Sequence, residues 1–241
     1  RLVICGKALS QTGGHTDYRG RHSLRSVDYY QNQIGALGVV VNGIDEVRRA
    51  ARDQIKGGAD FIKVMANGGV SSPTDPIAVL AFSNEELKAA VEEAKNAQLY
   101  VSGHLYTDEA IRRALECGVE SIEHANLMKP ETAKLIYEGA RFGLPAESVA
   151  KIEDVRGAGL ACLTHLHKAG VVMGYGSDLL GEMHDHQSEE FLLRGRYLPA
   201  KDVIRSATID AAKVLRKEGQ IGVIAPGAFA DMIVVDGNPL E

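Results

Sequence analysis

The chain has 241 residues, 45% of them hydrophobic, with 26 glycines and 27 basic against 32 acidic side chains for a formal net charge of −5. That is enough apolar material for a sizeable core in one globular domain, with room for a small appendage. The acidic balance and the lack of a basic run argue against a nucleic-acid partner, and no apolar segment approaches the roughly 20 residues that span a bilayer.

Cys5, Cys117 and Cys162 are odd in number, far apart and without a Cys-x-x-Cys pair. They fit neither a disulfide framework nor a zinc ribbon, and a reducing, cytoplasmic setting is expected. The opening RLVICG carries no initiator Met and no signal-peptide pattern, so Arg1 is expected to lie inside something longer.

Short β-branched runs alternate with amphipathic helices, the pattern of repeated βα units around a parallel sheet. A first strand is predicted over Leu2–Ile4, followed by a long Gly-, Ser- and Arg-rich connection from Gly6 to Asn42. GIDEVRRAARDQIKGG then predicts a helix with Ile44, Val47, Ala51 and Ile55 on one face and a stop at Gly57-Gly58. A strand over Phe61–Met65 leads into a second long connection, Ala66 to Phe82, broken by Pro73 and Pro76. Connections of that length in a compact domain are commonly functional. Ser83-Asn84-Glu85-Glu86 matches a capping box ahead of a helix that turns Leu87, Val91 and Ala94 inward. Next come a strand over Tyr100–Gly103, a helix capped by Thr107 and ended at Gly118, and a strand over Ser121–Glu123. Pro130 pre-sets the first turn of a further helix, and a long helical stretch runs from about Ser148 to His167. No β run is visible between Tyr137 and Ser148. A strand over Val171–Gly176 and helices to about Arg216 follow, and two short strands are predicted around Pro226-Gly227. The expected fold is therefore α/β, a (β/α)8 TIM-type barrel over residues 1–218, incomplete because five strands are read where eight close the barrel. Residues 219–241 are expected to give their strands to a small β layer outside it.

Polar residues recur at the C-terminal tips of these strands: Lys63 in FIKVM, His104 closing YVSGH, His124 closing SIEH and Asp178 closing GYGSD. All strand tips of a barrel open on one mouth, so these residues would converge. Taken singly, each histidine is an ordinary hydrogen-bonding residue, Asp178 a turn aspartate and Lys63 a lysine whose stem packs while its head reaches water. Taken together, two imidazoles, a carboxylate and a lysine point to a metal site, with zinc the default for such ligands.

The strings GADFIKVMANGGVSSPTDP, VSGHLYTDEAIRRALECGVESIEHAN, MGYGSDLLG and GVIAPGAFADMIVVDGNPLE resemble the amidohydrolase superfamily, in its imidazolonepropionase-related branch that includes metal-dependent Xaa-Pro dipeptidases. The resemblance implies two divalent metal ions bridged by a carbamate formed from CO2 on Lys63. His104 and His124 would bind the second metal and Asp178 the first, with Asp178 also shuttling a proton between a metal-bridging hydroxide and the leaving amine. The apolar sequence neighbours Phe61, Ile62, Val64 and Met65 are expected to favour the neutral amine that CO2 requires. The resemblance also implies a His-x-His pair on a first barrel strand, which would lie ahead of Arg1. The strings HLH (His165 to His167) and HDH (His184 to His186) are rejected as that pair, the first for lying in a helix and the second for following Asp178.

For substrate contact the resemblance implies His15, in GGH. Tyr106 is a candidate donor to a carbonyl oxygen and His184 a candidate pocket-lining residue, while Arg19, Arg21 and Arg25 could meet a carboxylate. The expected activity is hydrolysis of Xaa-Pro dipeptides, or a related carboxypeptidase reaction, with imidazolonepropionase as the runner-up. A Schiff-base aldolase using Lys63 is the alternative from another class, though it leaves His104, His124 and Asp178 without a shared task. A non-catalytic barrel remnant is the third. The expected partners are a small-molecule or dipeptide substrate and further copies of the chain in a homo-oligomer, with neither nucleic acid nor membrane.

Overall fold

The computed structural model describes residues 2–72, 74–133, 142–143, 152–179 and 181–240. Two units are distinguished, Arg1–Ala125 with Ser148–Lys151, and Asn126–Glu147 with Ile152–Glu241.

The first unit contains strands β1 (Ala8–Ser10), β2 (Gly38–Val40), β3 (Ile62–Met65), β4 (Val101–Thr107) and most of β5 (Ser121–Leu127), in sheet order β2-β1-β3-β4-β5. β1 is parallel to both β2 and β3, and β3 is parallel to β4. Parallel neighbours require crossovers, supplied by helices α2 (Ile44–Lys56), α3 (Asn84–Asn96) and α4 (Asp108–Glu116), while the short α1 (Val27–Gln31) lies between β1 and β2. This is the parallel α/β class expected from the sequence.

The expected stop and start signals operate as physics requires. Ser83 accepts from the Glu86 amide at 3.2 Å while the Glu86 carboxylate accepts from the Ser83 amide at 2.6 Å, a complete capping box on α3. Thr107 accepts from the Ala110 amide at 3.3 Å and caps α4. Gly58 and Gly118 take φ of +89° and +92° just past α2 and α4, where a side chain would be strained. Leu87, Val91 and Ala94 are buried, as are Val47 and Ala51, but Ile44 at the start of α2 is exposed. α2 and α3 are also cross-linked by charge: Glu93, buried against both, accepts from Arg48 at 2.8 Å and from Arg52 at 2.7 Å.

In the second unit, β6 (Phe142–Gly143) pairs in parallel with β7 (Met173–Gly174), and α5 (Ile152–Lys168) connects them. A 3-10 helix (Gly181–His186), α6 (Glu189–Gly195), α7 (Ala200–Ala207) and α8 (Ile209–Val214) follow. Arg194 on α6 is buried at 1% exposure, donating to Glu190 at 2.7 Å and to the Gly174 carbonyl at 3.0 Å, so its charge is paired while it anchors the end of β7.

Several sequence expectations need correction. No strand forms over Leu2–Ile4; the pairing falls at Ala8–Ser10, in a segment read as loop because of its Gly and Lys neighbours. β2 was hidden in the same way inside the long Gly6–Asn42 connection. Phe142–Gly143 is a strand where no β run is visible, two residues being too few to show a period; the rest of the Tyr137–Ser148 stretch lies outside the described residues. Residues 219–240 form turns and no strand, including around Pro226-Gly227, where the Ala228 amide donates to Ala225 across the turn. Their apolar residues Ile233 and Val234 are 88% and 100% exposed, and among the described residues no strand pairs with them.

Candidate active site

Alternation along β3 buries Ile62 and Val64 on one face and turns Lys63 to the other. Lys63 stands in register with Ser102 on β4, and Met65 with His104. The apolar sequence neighbours Ile62 and Val64 are therefore not neighbours of the amine in space. Its Nζ lies 3.8 Å from Oε1 of Glu123, which accepts a 2.5 Å hydrogen bond from the Ser102 hydroxyl. The surroundings of Lys63 include a carboxylate, which corrects the expectation of a purely apolar setting.

β4 places Ser102, His104 and Tyr106 at alternate positions, so all three face the same side as Lys63. His104 is buried, and its Nε2 donates to the Gly68 carbonyl at 3.2 Å. A carbonyl only accepts, so the proton of neutral His104 sits on Nε2 and its Nδ1 carries a lone pair. That Nδ1 meets Nε2 of His124 at 2.7 Å, so in this structure His124 is the donor. Burial, with the nearby His124, His15 and Lys63 acting in the same direction, holds the His104 imidazole well below the ordinary histidine value. His104 is thus neutral, in the protonation state of a metal ligand.

His124 reaches its partner through unusual backbone. His124 and Ala125 have φ of +73° and +55°, two successive non-glycine residues in the left-handed region. Each costs of order 1–3 kcal/mol, and the break in alternation lets Glu123 engage Ser102 while the next residue engages His104. Tyr106 is buried and stacks on His124, centroids 4.7 Å apart at 7°, with its edge to His104.

His15 comes from the turn after β1 and stacks on His104, centroids 4.4 Å apart at 15°. Of the three arginines, Arg19 is committed to Asp17 by bonds of 2.8 and 2.7 Å, and Arg25 lies over the Tyr29 ring at 4.3 Å. These contacts do not favour the reading of Arg19 and Arg25 as free carboxylate receptors. Asp178 and His184 belong to the second unit. Asp178 follows β7 with φ of +52° and is exposed; His184 is exposed on the 3-10 helix. His165 and His167 lie on α5, as the rejection of that pair required.

The first unit thus brings together Lys63, His104, His124, Tyr106 and His15. Among the described residues no group of three or more His, Cys, Asp or Glu converges as a ready metal cage. What this unit offers is two converging imidazoles beside a lysine, that of His104 held neutral, a donor set that suits a divalent cation once the His124 nitrogen facing His104 gives up its proton. Glu123, Ser102, Gly68 and Asp75 escaped the sequence reading. Glu123 adjoins His124 in IEH, and only a strand break there could have signalled that both contribute to the site. Asp75 lay in a Pro-bounded loop and gave no periodic signal.

A family model of the amidohydrolase family matches residues 1–241. The curated ochratoxinase of Aspergillus niger is 32% identical over 261 residues, covering 98% of this chain and 54% of the relative. A crystal structure of a prolidase complexed with N-methylphosphonate-L-proline is 47% identical with a TM-score of 0.95, covering all of this chain and 63% of its own. A Xaa-Pro dipeptidase solved with methionine in its active site is 30% identical with a TM-score of 0.81, covering 98% of this chain and 62% of its own. The chain spans about half the length of the curated relatives it matches and under two thirds of these structures.

Proposed function

This chain belongs to the amidohydrolase family, with the TIM-type barrel fold of that family, and on that premise we propose that the protein hydrolyses the amide bond of Xaa-Pro dipeptides or closely related short peptides. The observation that carries the chemistry is the 2.7 Å approach of His104 Nδ1 and His124 Nε2 on the sheet face that also bears Lys63. In this reading His104, His124 and a Lys63 carbamate would hold two divalent metal ions, zinc by default, with Asp178 as a further ligand. Bound there, the ions would supply Lewis acidity and activate water at neutral pH.

The residues of the chain do the rest. The Gly68 carbonyl fixes the His104 tautomer, keeping a lone pair on the nitrogen that faces His124. Tyr106, rigid against both rings, orients the substrate carbonyl, and His15 and His184 contact the remainder of the substrate. Asp178 takes a proton from the attacking water and returns it to the leaving amine. The substrate class draws support from the relatives, two of which are a prolidase and a Xaa-Pro dipeptidase.

The test is turnover of a panel of Xaa-Pro and Xaa-Arg dipeptides, ochratoxin and imidazolonepropionate by the metal-loaded protein. Preferential hydrolysis of Xaa-Pro supports the proposal. Turnover of imidazolonepropionate alone overturns it in favour of cyclic-amide hydrolysis. Reductive trapping of a carbonyl substrate on Lys63 by borohydride, without bound metal, would instead identify a Schiff-base aldolase.

A further inference from the structure

The loop that follows β3 carries an unassigned acidic residue in contact with the candidate substrate histidine. Asp75 is buried at 2% exposure, and its Oδ2 accepts from the Gly69 amide at 2.9 Å, so the loop backbone fixes the carboxylate. The same Oδ2 lies 3.4 Å from Nδ1 of His15. The Ser72 hydroxyl is also 3.4 Å from Nδ1, but an ionised carboxylate is the stronger acceptor. A spacing of this length is common in ligand-free sites and tightens in the substrate complex.

Two further observations show that the ring is seated in the loop. A Cβ added at Gly69 would fall 1.7 Å from His15 Nδ1 and 2.0 Å from its Cε1, so only glycine leaves the ring its place. The ring also stacks on His104. The loop itself is pinned, because Gly68 accepts from His104 and Asn67 accepts from the Tyr106 and Thr107 amides. His15, from a turn more than fifty residues earlier in the chain, is thus held between the post-β3 loop and the middle of β4.

We propose that Asp75 is a positioning residue for His15, holding the ring through Nδ1 against His104 so that Nε2 is the nitrogen presented to substrate. The role rests on the reading of His15 as a substrate contact. Among the described residues Nε2 meets the Ser71 hydroxyl at 3.4 Å, a contact that a substrate group replaces without disturbing Nδ1. Both contacts of Asp75 use one oxygen, and its Oδ1 has no partner among the described residues. Asp75→Asn therefore keeps the oxygen that matters, whereas Asp75→Leu removes it.

The test compares these two variants with His15→Asn and the double variant His15→Asn/Asp75→Leu, in metal-loaded protein. Misplacing a substrate-positioning group is expected to cost about 10–100-fold. Asp75→Leu should lower kcat/KM on an Xaa-Pro dipeptide by that factor with metal content unchanged. Asp75→Asn should stay within about 3-fold of the parent, and Asp75→Leu should add nothing once His15 is replaced. In parallel, nitrogen NMR of histidine-labelled protein should show His15 protonated at Nδ1 in the parent and Asp75→Asn, and redistributed in Asp75→Leu. Unchanged His15 resonances in Asp75→Leu, or additive losses in the double variant, overturn the proposal. If the parent turns over no dipeptide but the resonances respond, the substrate reading fails and the positioning role stands. Should Asp75→Leu not fold, the smaller Asp75→Ser carries the same comparison.

Discussion

Asn67 is the residue on which the site's architecture can be tested by stability alone. It is fully buried, and its side-chain oxygen accepts from the Tyr106 and Thr107 amides at 2.8 and 2.9 Å while its amide donates to Ile77 and Val79 at 2.7 Å each. In Asn67→Leu, Val79 keeps the Gly68 amide as a partner and the Ile77 carbonyl is half-exposed, so the loss concentrates on the Tyr106 and Thr107 N–H groups at the end of β4. A buried group left unpaired costs about 1–3 kcal/mol, which sums to about 4 kcal/mol for the pair. With a urea dependence of about 3 kcal/mol/M, the unfolding midpoint should fall by about 1.3 M. Circular dichroism in urea reads the shift, and hydrogen exchange should show Tyr106 and Thr107 losing protection first. Asn67→Asp should also destabilise, by setting a carboxylate against two carbonyl oxygens, yet keep those two amides protected. A midpoint shift under about 0.3 M with both amides still protected in Asn67→Leu would refute the reasoning.

The other predictions concern the metal ligands, the proton path and two titrating groups. Lys63→Ala should lose bound metal and activity together, and short carboxylic acids should restore part of both by standing in for the carbamate; metal analysis with and without acetate checks this. Asp178→Asn should keep the circular dichroism spectrum and lose turnover by about 100-fold or more, and parental rates would remove it from the proton path. Burial pushes the Cys162 thiol up to about 12, so a disulfide reagent at pH 8 should leave Cys162 unmodified in the native protein and label it after unfolding; mass spectrometry locates the label. Hydrogen bonds from Arg52 and then Arg48 hold the Glu93 carboxyl below its usual range. A depressed carboxylate stabilises above its unfolded value and loses that advantage as pH falls through its folded value. The stability gap between parent and Glu93→Gln should therefore be full above about pH 4.3 and close on further acidification.

How much of this was legible in the sequence depended on whether the signal was local. The capping box at Ser83, the Thr107 cap and the stops at Gly58 and Gly118 are local chemistry, and the structure holds each where the sequence indicated. The convergence of Lys63, His104 and His124 was expected from the rule that parallel strands end on one side, and the β3–β4 register sets Lys63 and His104 on one sheet face. The environment of Lys63 was misjudged because adjacency along a strand is the opposite of adjacency in space: Ile62 and Val64 face away, while Glu123, sixty residues later, faces the amine. β1, β2 and β6 were missed because strands of two or three residues are fixed by pairing, which no window of sequence records. Asp75 and Gly69 were invisible for a related reason, since their meaning depends on the ring of His15 that lies between them.

The central claim is that His104 and His124 are metal ligands, and metal content tests it most directly. Purified protein loaded with zinc, desalted and measured by plasma mass spectrometry should retain at least one tightly held divalent ion per chain. His104→Ala/His124→Ala should retain none while keeping its secondary structure. Metal-free parent protein after loading, or equal retention by the double variant, would contradict the account.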